Sequence, residues 1–154
     1  MIEQEGCVMP IAEPVSGLIF ALEVDGAQMA LFRTCSGLGS TSEVLEQKTT
    51  AADGTIVIRK VPGKLTWSNL VLERGVERSA KLWNWRQLVV DGKVAEARKN
   101  GAVVAISQEG ASLMRWDFVN GWPCGWRVSS TEDASGLAVE RLEIAHDRLR
   151  LRVL

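Results

Sequence analysis

Alternation with a period of two runs through most of this chain. Leu18, Phe20, Leu22 and Val24 take one face, and Ile19, Ala21, Glu23 and Asp25 the other, which predicts a strand. Asp25-Gly26 is a short-range hairpin signal, with Gln28 to Thr34 as the returning strand. A glycine-containing bend at residues 36–40 follows, and then weak alternation from Glu43 to Lys48. Further on, Val103 to Ser107 is apolar and β-branched, and Glu109-Gly110 turns the chain. Leu113 to Asn120 then places Met114, Trp116 and Phe118 on one side and Leu113, Arg115, Asp117 and Val119 on the other. Asn120-Gly121 is expected to break that strand before Trp122-Pro123, leaving a short strand from Trp126 to Ser130 and a polar loop to Gly136. A long strand is predicted over Ala138 to His146, with Leu142 and Ile144 opposite Arg141 and Glu143. A last one sets Arg148, Arg150 and Arg152 against Leu149, Leu151 and Val153.

The pattern lapses twice. Gln47 to Gly54 has few apolar residues that could fix it against a core, and residues 46–64 are expected to form a long, projecting, hairpin-like loop. Its tract Ile56-Val57-Ile58 would be exposed in a lone subunit, which suggests that it lies against another chain. Pro62-Gly63 is expected to turn the chain at the end of this loop, because Pro presets φ and Gly supplies φ > 0. Trp67, Leu70, Val71 and Leu72 then form a strand stopped by Glu73-Arg74-Gly75. The second lapse is helical. Leu82, Trp85 and Leu88 or Val89 recur at three and four, predicting a helix over residues 80–91 with Ser79 as N-cap and Gly92 as C′.

Length and composition narrow the class. The 154 residues suit one domain, residues 15–154, preceded by an arm at 1–14 bracketed by Pro10 and Pro14. Lys+Arg 18 against Asp+Glu 19 leaves a net charge of −1, which gives no case for sequence-specific nucleic-acid binding or for an anionic membrane. No apolar run is long enough to span a bilayer, and MIEQEGCVMP is acidic where a secretory signal is basic, so synthesis in the bacterial cytoplasm without a signal peptide is expected. Cys7, Cys35 and Cys124 are odd in number and widely spaced, as reduced small hydrophobes are.

Five stretches together resemble a known family. LIFALEVDGAQMALF, KVPGKLTWSNLVLERGV, LWNWRQLVVDGKV, WDFVNGWPCGW and ERLEIAHDRL stand in the order and spacing of the phage tail tube proteins. Within that family they are most similar to inner tube subunits of phage-tail-like contractile injection systems. The resemblance covers about residues 17–149. It implies a mainly β fold, a small barrel or sandwich with one flanking helix and a long projecting loop. It also implies hexameric rings that stack into a hollow tube inside a contractile sheath. Implied partners are other copies of the chain, the sheath, baseplate and hub, tube-terminating proteins, and protein cargo or phage DNA in the lumen. Two alternatives share this fold, the tail tube of a contractile phage and the ring-forming tube protein of type VI secretion; a third is a free-standing ligand-binding β-barrel.

Candidate chemistry is sparse. One His and three scattered Cys make no metal ligand set. A triad of Cys35 or Cys124 with His146 lacks a nucleophile elbow, so neither catalysis nor a cofactor is expected. The expected inter-subunit surface is instead Glu46, Lys48, Asp53, Ile56, Ile58, Arg59, Lys60, Pro62, Gly63 and Lys64. Trp122 and Trp126 suit either core or interface. The Arg148, Arg150, Arg152 ladder suits phosphate binding, a lumen lining, or a solvated strand face.

Overall fold

One strand, β8 (Ser112–Ser130), links the two halves of the molecule. The computed structural model describes residues 17–130 and 138–154; the expected arm at 1–14, Cys7 and most of the polar loop at 129–136 lie outside the described residues. Around β8 stand β1 (Ile19–Val24), β2 (Ala27–Phe32), β3 (Thr34–Ser36), β6 (Leu70–Gly75), β7 (Lys99–Ile106), β9 (Ala138–Ala145) and β10 (Arg148–Val153). Their order is β2-β1-β7-β8-β9-β6-β3, with β10 on β8, and every pairing is antiparallel. β2 runs into β3 through Arg33, whose N–H donates to the Glu73 carbonyl at 2.9 Å. Chain continuity thus brings the two ends of the strand order together, and the sheet curls into an open barrel with no ladder between β2 and β3.

The expected break at Asn120-Gly121 is a corner instead. The first half of β8 pairs with β7 and β10, the second half with β9. Asn120 takes φ 53, its N–H donates to Asn100 Oδ1 at 3.1 Å, and its Nδ2 donates to Asp147 Oδ2 at 2.7 Å. A Cβ at Gly121 would lie 2.3 Å from the Phe118 ring, so only glycine lets the corner close over that side chain. The ladder survives because both halves keep partners. Glu73-Arg74-Gly75 pairs with β9 as the last three residues of β6, and the strand stops, as expected, at Gly75.

Leu22, Phe32, Leu70, Leu72, Val103, Phe118, Leu142 and Ile144 fill the barrel. These are the inward positions of the alternating strands. Helix α1 (Lys81–Val90) adds Leu82 and Trp85 to the same core, with Leu88 and Val89 half-buried beside them. Trp85 Nε1 donates to the Ala97 carbonyl at 2.8 Å, tying α1 to the one-turn helix α2 (Val94–Ala97). α1 begins one residue later than expected: Ala80 is the N-cap, and Ser79 Oγ accepts from the Lys81 N–H at 3.4 Å. It ends as expected at Gly92, φ 82. The Gly92 and Lys93 N–H groups donate to the Val89 and Leu88 carbonyls, closing the last turn. The fold is mainly β with one flanking helix, and no described helix is long and apolar enough to cross a membrane.

Candidate functional site

The remaining two strands, β4 (Ser40–Thr50) and β5 (Ile56–Trp67), form a sheet of their own. The hairpin-like character of residues 46–64 holds, but the strands are longer and more regular than a loop. The chain reverses at Ala51–Thr55, where Gly54 has φ 89 and the Ala51 N–H donates to the Thr55 carbonyl at 2.8 Å. Thr55 donates from its hydroxyl and its N–H to Asp53 Oδ1, at 2.6 and 3.0 Å; the hydroxyl bond foremost holds the Asp53 carboxyl below its usual range. Pro62-Gly63 therefore makes no turn. Pro62 faces Val44, and the register then jumps to Leu65 opposite Ser42, so Gly63 and Lys64 bulge against Glu43 alone. Glu43 Oε2 accepts from the bulged Lys64 N–H at 3.3 Å. Proline has no N–H to donate, and the bulge is a place where a ladder tolerates that.

Residues directly opposite in a ladder share a face. One face of the hairpin carries Leu45, Val57 and Val61 with Gln47 and Arg59. The other carries Val44, Ile56, Ile58 and Pro62 with Glu46, Lys48 and Lys60. Both faces are thus apolar in part, and both are open: Ile56 is 70% and Val44 63% exposed on one, Leu45 48% and Val57 41% on the other. A strand pair that used one face to cover its own core would be sorted into an apolar and a polar side. Among the described residues, Arg59, Lys60 and Lys64 make no ion pair with Glu43 or Glu46.

The other expected site residues lie elsewhere. Trp122 and Trp126 are half-buried against the subunit's own core, Trp126 edge-on to Trp83 with centroids 5.0 Å apart. Trp126 Nε1 also donates to Glu140 Oε1 at 2.9 Å. Arg148, Arg150 and Arg152 project from β10 on the side away from the core, beside Asp117. There Arg115 bonds Glu23 and, at 2.9 Å, Asp117, while Arg152 Nε reaches Asp117 at 2.8 Å. Partial burial pushes the Asp117 carboxyl up, but the hydrogen bonds and charges of the two arginines outweigh it and hold the group below its usual value.

A buried ion pair went unforeseen. Arg74 Nε donates to Glu140 Oε2 at 3.1 Å, Arg74 also bonds Glu77, and its guanidinium sits 5.4 Å from the Phe32 ring centroid. Arg74 and Glu140 fall at core positions of β6 and β9. The signal available was a charged residue in phase with Leu70 and Leu72 on one strand, and with Leu142 and Ile144 on the other.

No catalytic arrangement is built from the remaining candidates. Burial pushes the Cys35 thiol up to about 12, and burial followed by the Glu143 charge raises that of Cys124. His146 Nε2 lies 2.9 Å from the Ser68 carbonyl, and its ring packs 6.2 Å from Trp67 at the hairpin base. No group of His, Cys, Asp and Glu suited to a metal ion occurs among the described residues.

The family model of the T4-like virus tail tube protein gp19 matches residues 17–150. Among solved structures, the chain is similar to one in the sheath-tube complex of the extracellular contractile injection system PVC in the extended state. The TM-score is 0.64 at 21% identity, covering 100% of this chain and 99% of that one. It is similar to a chain of the anti-feeding prophage tube-terminating cap, with TM-score 0.68, 19% identity and 96% of each chain covered. For Hcp1 from Flavobacterium johnsoniae the values are 0.53 and 16%, over 86% of this chain and 94% of that one. These likenesses show a tail-tube fold. Comparison with curated proteins returns no match.

Proposed function

This chain belongs to the family of the T4-like virus tail tube protein gp19, and on that premise we propose that it is the inner tube subunit of a contractile phage-tail-like injection system. The observation that carries the reading is the hairpin β4–β5. It stands apart from the barrel sheet with apolar residues open on both faces, an arrangement that neighbouring copies on either side would cover. Rings of six subunits stack into a hollow tube, each hairpin reaching the next subunit or ring, and contraction of a surrounding sheath drives the tube through a target envelope. The strand edges of β2, β3 and β10, each with a single ladder partner, support this assembly, because open edges invite pairing with another chain. Sheath, baseplate and terminating proteins are the partners that the similar structures suggest. The role is mechanical, and catalysis forms no part of it.

Negative-stain imaging of the purified protein, alone and co-expressed with a sheath and baseplate, tests the reading. Rings or tubes are expected; monomers alone under both conditions overturn it.

A further inference from the structure

The outward face of strands β1, β7, β8 and β10 is a charged panel that the assembly alone leaves unexplained. Its cross-strand rows follow from the register. One row is Glu23, Ala102, Asp117 and Arg150; the next is Ala21, Val104, Arg115 and Arg152. Small residues on β7 let the Arg115 side chain lie across that strand to Glu23, and Arg152 makes the parallel diagonal to Asp117. Arg148 and Arg150 have no carboxylate partner among the described residues. The panel therefore holds Arg115, Arg148, Arg150 and Arg152 against Glu23 and Asp117, and is net positive. At its rim Asp25 is matched by Lys99, and Asp147 accepts from Asn120. The whole chain, by contrast, is slightly acidic.

Helix α1 packs on the other half of β8, where Arg86 donates to the Pro123 carbonyl and Trp83 meets Trp126. Among the described residues the panel is thus an uncovered sheet ending in the open edge of β10. Resting on the tube reading above, we propose that this panel lines the lumen, and that its arginines make an electropositive wall which holds protein cargo by acidic surface patches.

A bare sheet with an open edge can continue from subunit to subunit as a smooth wall, whereas a face carrying a helix or hairpin would obstruct a bore. Unpaired guanidiniums offer forked donors that match carboxylates. Glu23 and Asp117, each paired with an arginine, keep the panel of mixed charge, which matches a protein surface of mixed charge better than a uniformly charged polyphosphate. A tube repeats the panel at every ring, so weak exposed pairs add up along the cargo, and they weaken with salt.

The test uses assembled tubes and fluorescein-labelled poly-L-glutamate, with labelled oligothymidine as the comparison. Wild-type tubes are expected to retain the polyglutamate on pelleting and to release it at high salt. An Arg148→Gln/Arg150→Gln variant should form the same tubes by electron microscopy and retain about tenfold less. Phenylglyoxal modification of Arg148 and Arg150, mapped by mass spectrometry, should fall when wild-type tubes are loaded, a readout that needs no variant. Polyglutamate fixed to beads too wide for the bore should capture no tubes. Equal retention by the variant, retention of oligothymidine but not polyglutamate, or capture by the beads overturns the proposal. Absence of tubes in the wild type overturns the tube reading itself.

Discussion

Arg74 and Glu140 are 5% and 3% exposed, facing each other across β6 and β9 in a core otherwise made of apolar side chains. Desolvating two charges is costly, and the arrangement compensates with further bonds. Glu77 takes a second Arg74 nitrogen, Trp126 donates to Glu140, and the Phe32 ring faces the guanidinium. Removing one partner leaves the other charge buried. Glu140→Ala is therefore expected to cost about 3–5 kcal/mol in urea denaturation of the subunit. An Arg74→Met/Glu140→Leu double variant should lose much less. Equal losses in both would mean that the pair itself, rather than an uncompensated charge, sets the cost.

At the scale of elements, the hairpin and the barrel obey different rules. The barrel strands alternate because one side meets a core; β4 is exposed along its whole length. Ile56 and Ile58 are correspondingly irrelevant to the subunit's own packing. An Ile56→Asp/Ile58→Asp variant should unfold within about 0.5 kcal/mol of wild type, yet fail to form rings or tubes by electron microscopy and sizing chromatography. A large loss of subunit stability would show that the hairpin belongs to the fold rather than to the assembly. The bulge at Gly63-Lys64 adds local twist to β5, so the outer hairpin is aimed separately from its base.

Across the whole molecule, charge is sorted more than composition suggests. The net charge is −1, yet arginines gather on the outward panel of one half of the barrel. Asp117 ties that panel together between Arg115 and Arg152. Its carboxyl is held below the ordinary 3.8 in the folded chain, so its contribution to stability is present above that value. The contribution is lost as pH falls through the lowered folded-state value. Acid titration of wild type against Asp117→Asn should show the wild-type advantage shrinking below about pH 4. An advantage that stays constant through that range would show that the two arginines do not stabilise the carboxylate form.

Periodicity alone determined most of the barrel strands, the single flanking helix with its Gly92 terminus, and the segment that stands off the core, though not that this segment is itself a long strand pair. Each rests on local chemistry: where side chains point, and which residue tolerates φ > 0. Phe118, Leu142 and Ile144 were legible because their strands alternate cleanly, and the exposed Ile56-Val57-Ile58 tract because the residues from Gln47 to Gly54 before it and Arg59-Lys60 after it are mostly polar. The tertiary structure decided what depends on non-local partners. Pro62-Gly63 became a bulge because Glu43 and Val44 lie across from it, and Asn120-Gly121 became a corner because β7, β10 and β9 hold both halves of β8. Arg74 met Glu140 across 66 positions of chain. The arginine ladder acquired its place beside Asp117 only through the β8–β10 register. A ladder or an ion pair is a contact between distant residues, and the residues near each partner in the chain carry no record of the other.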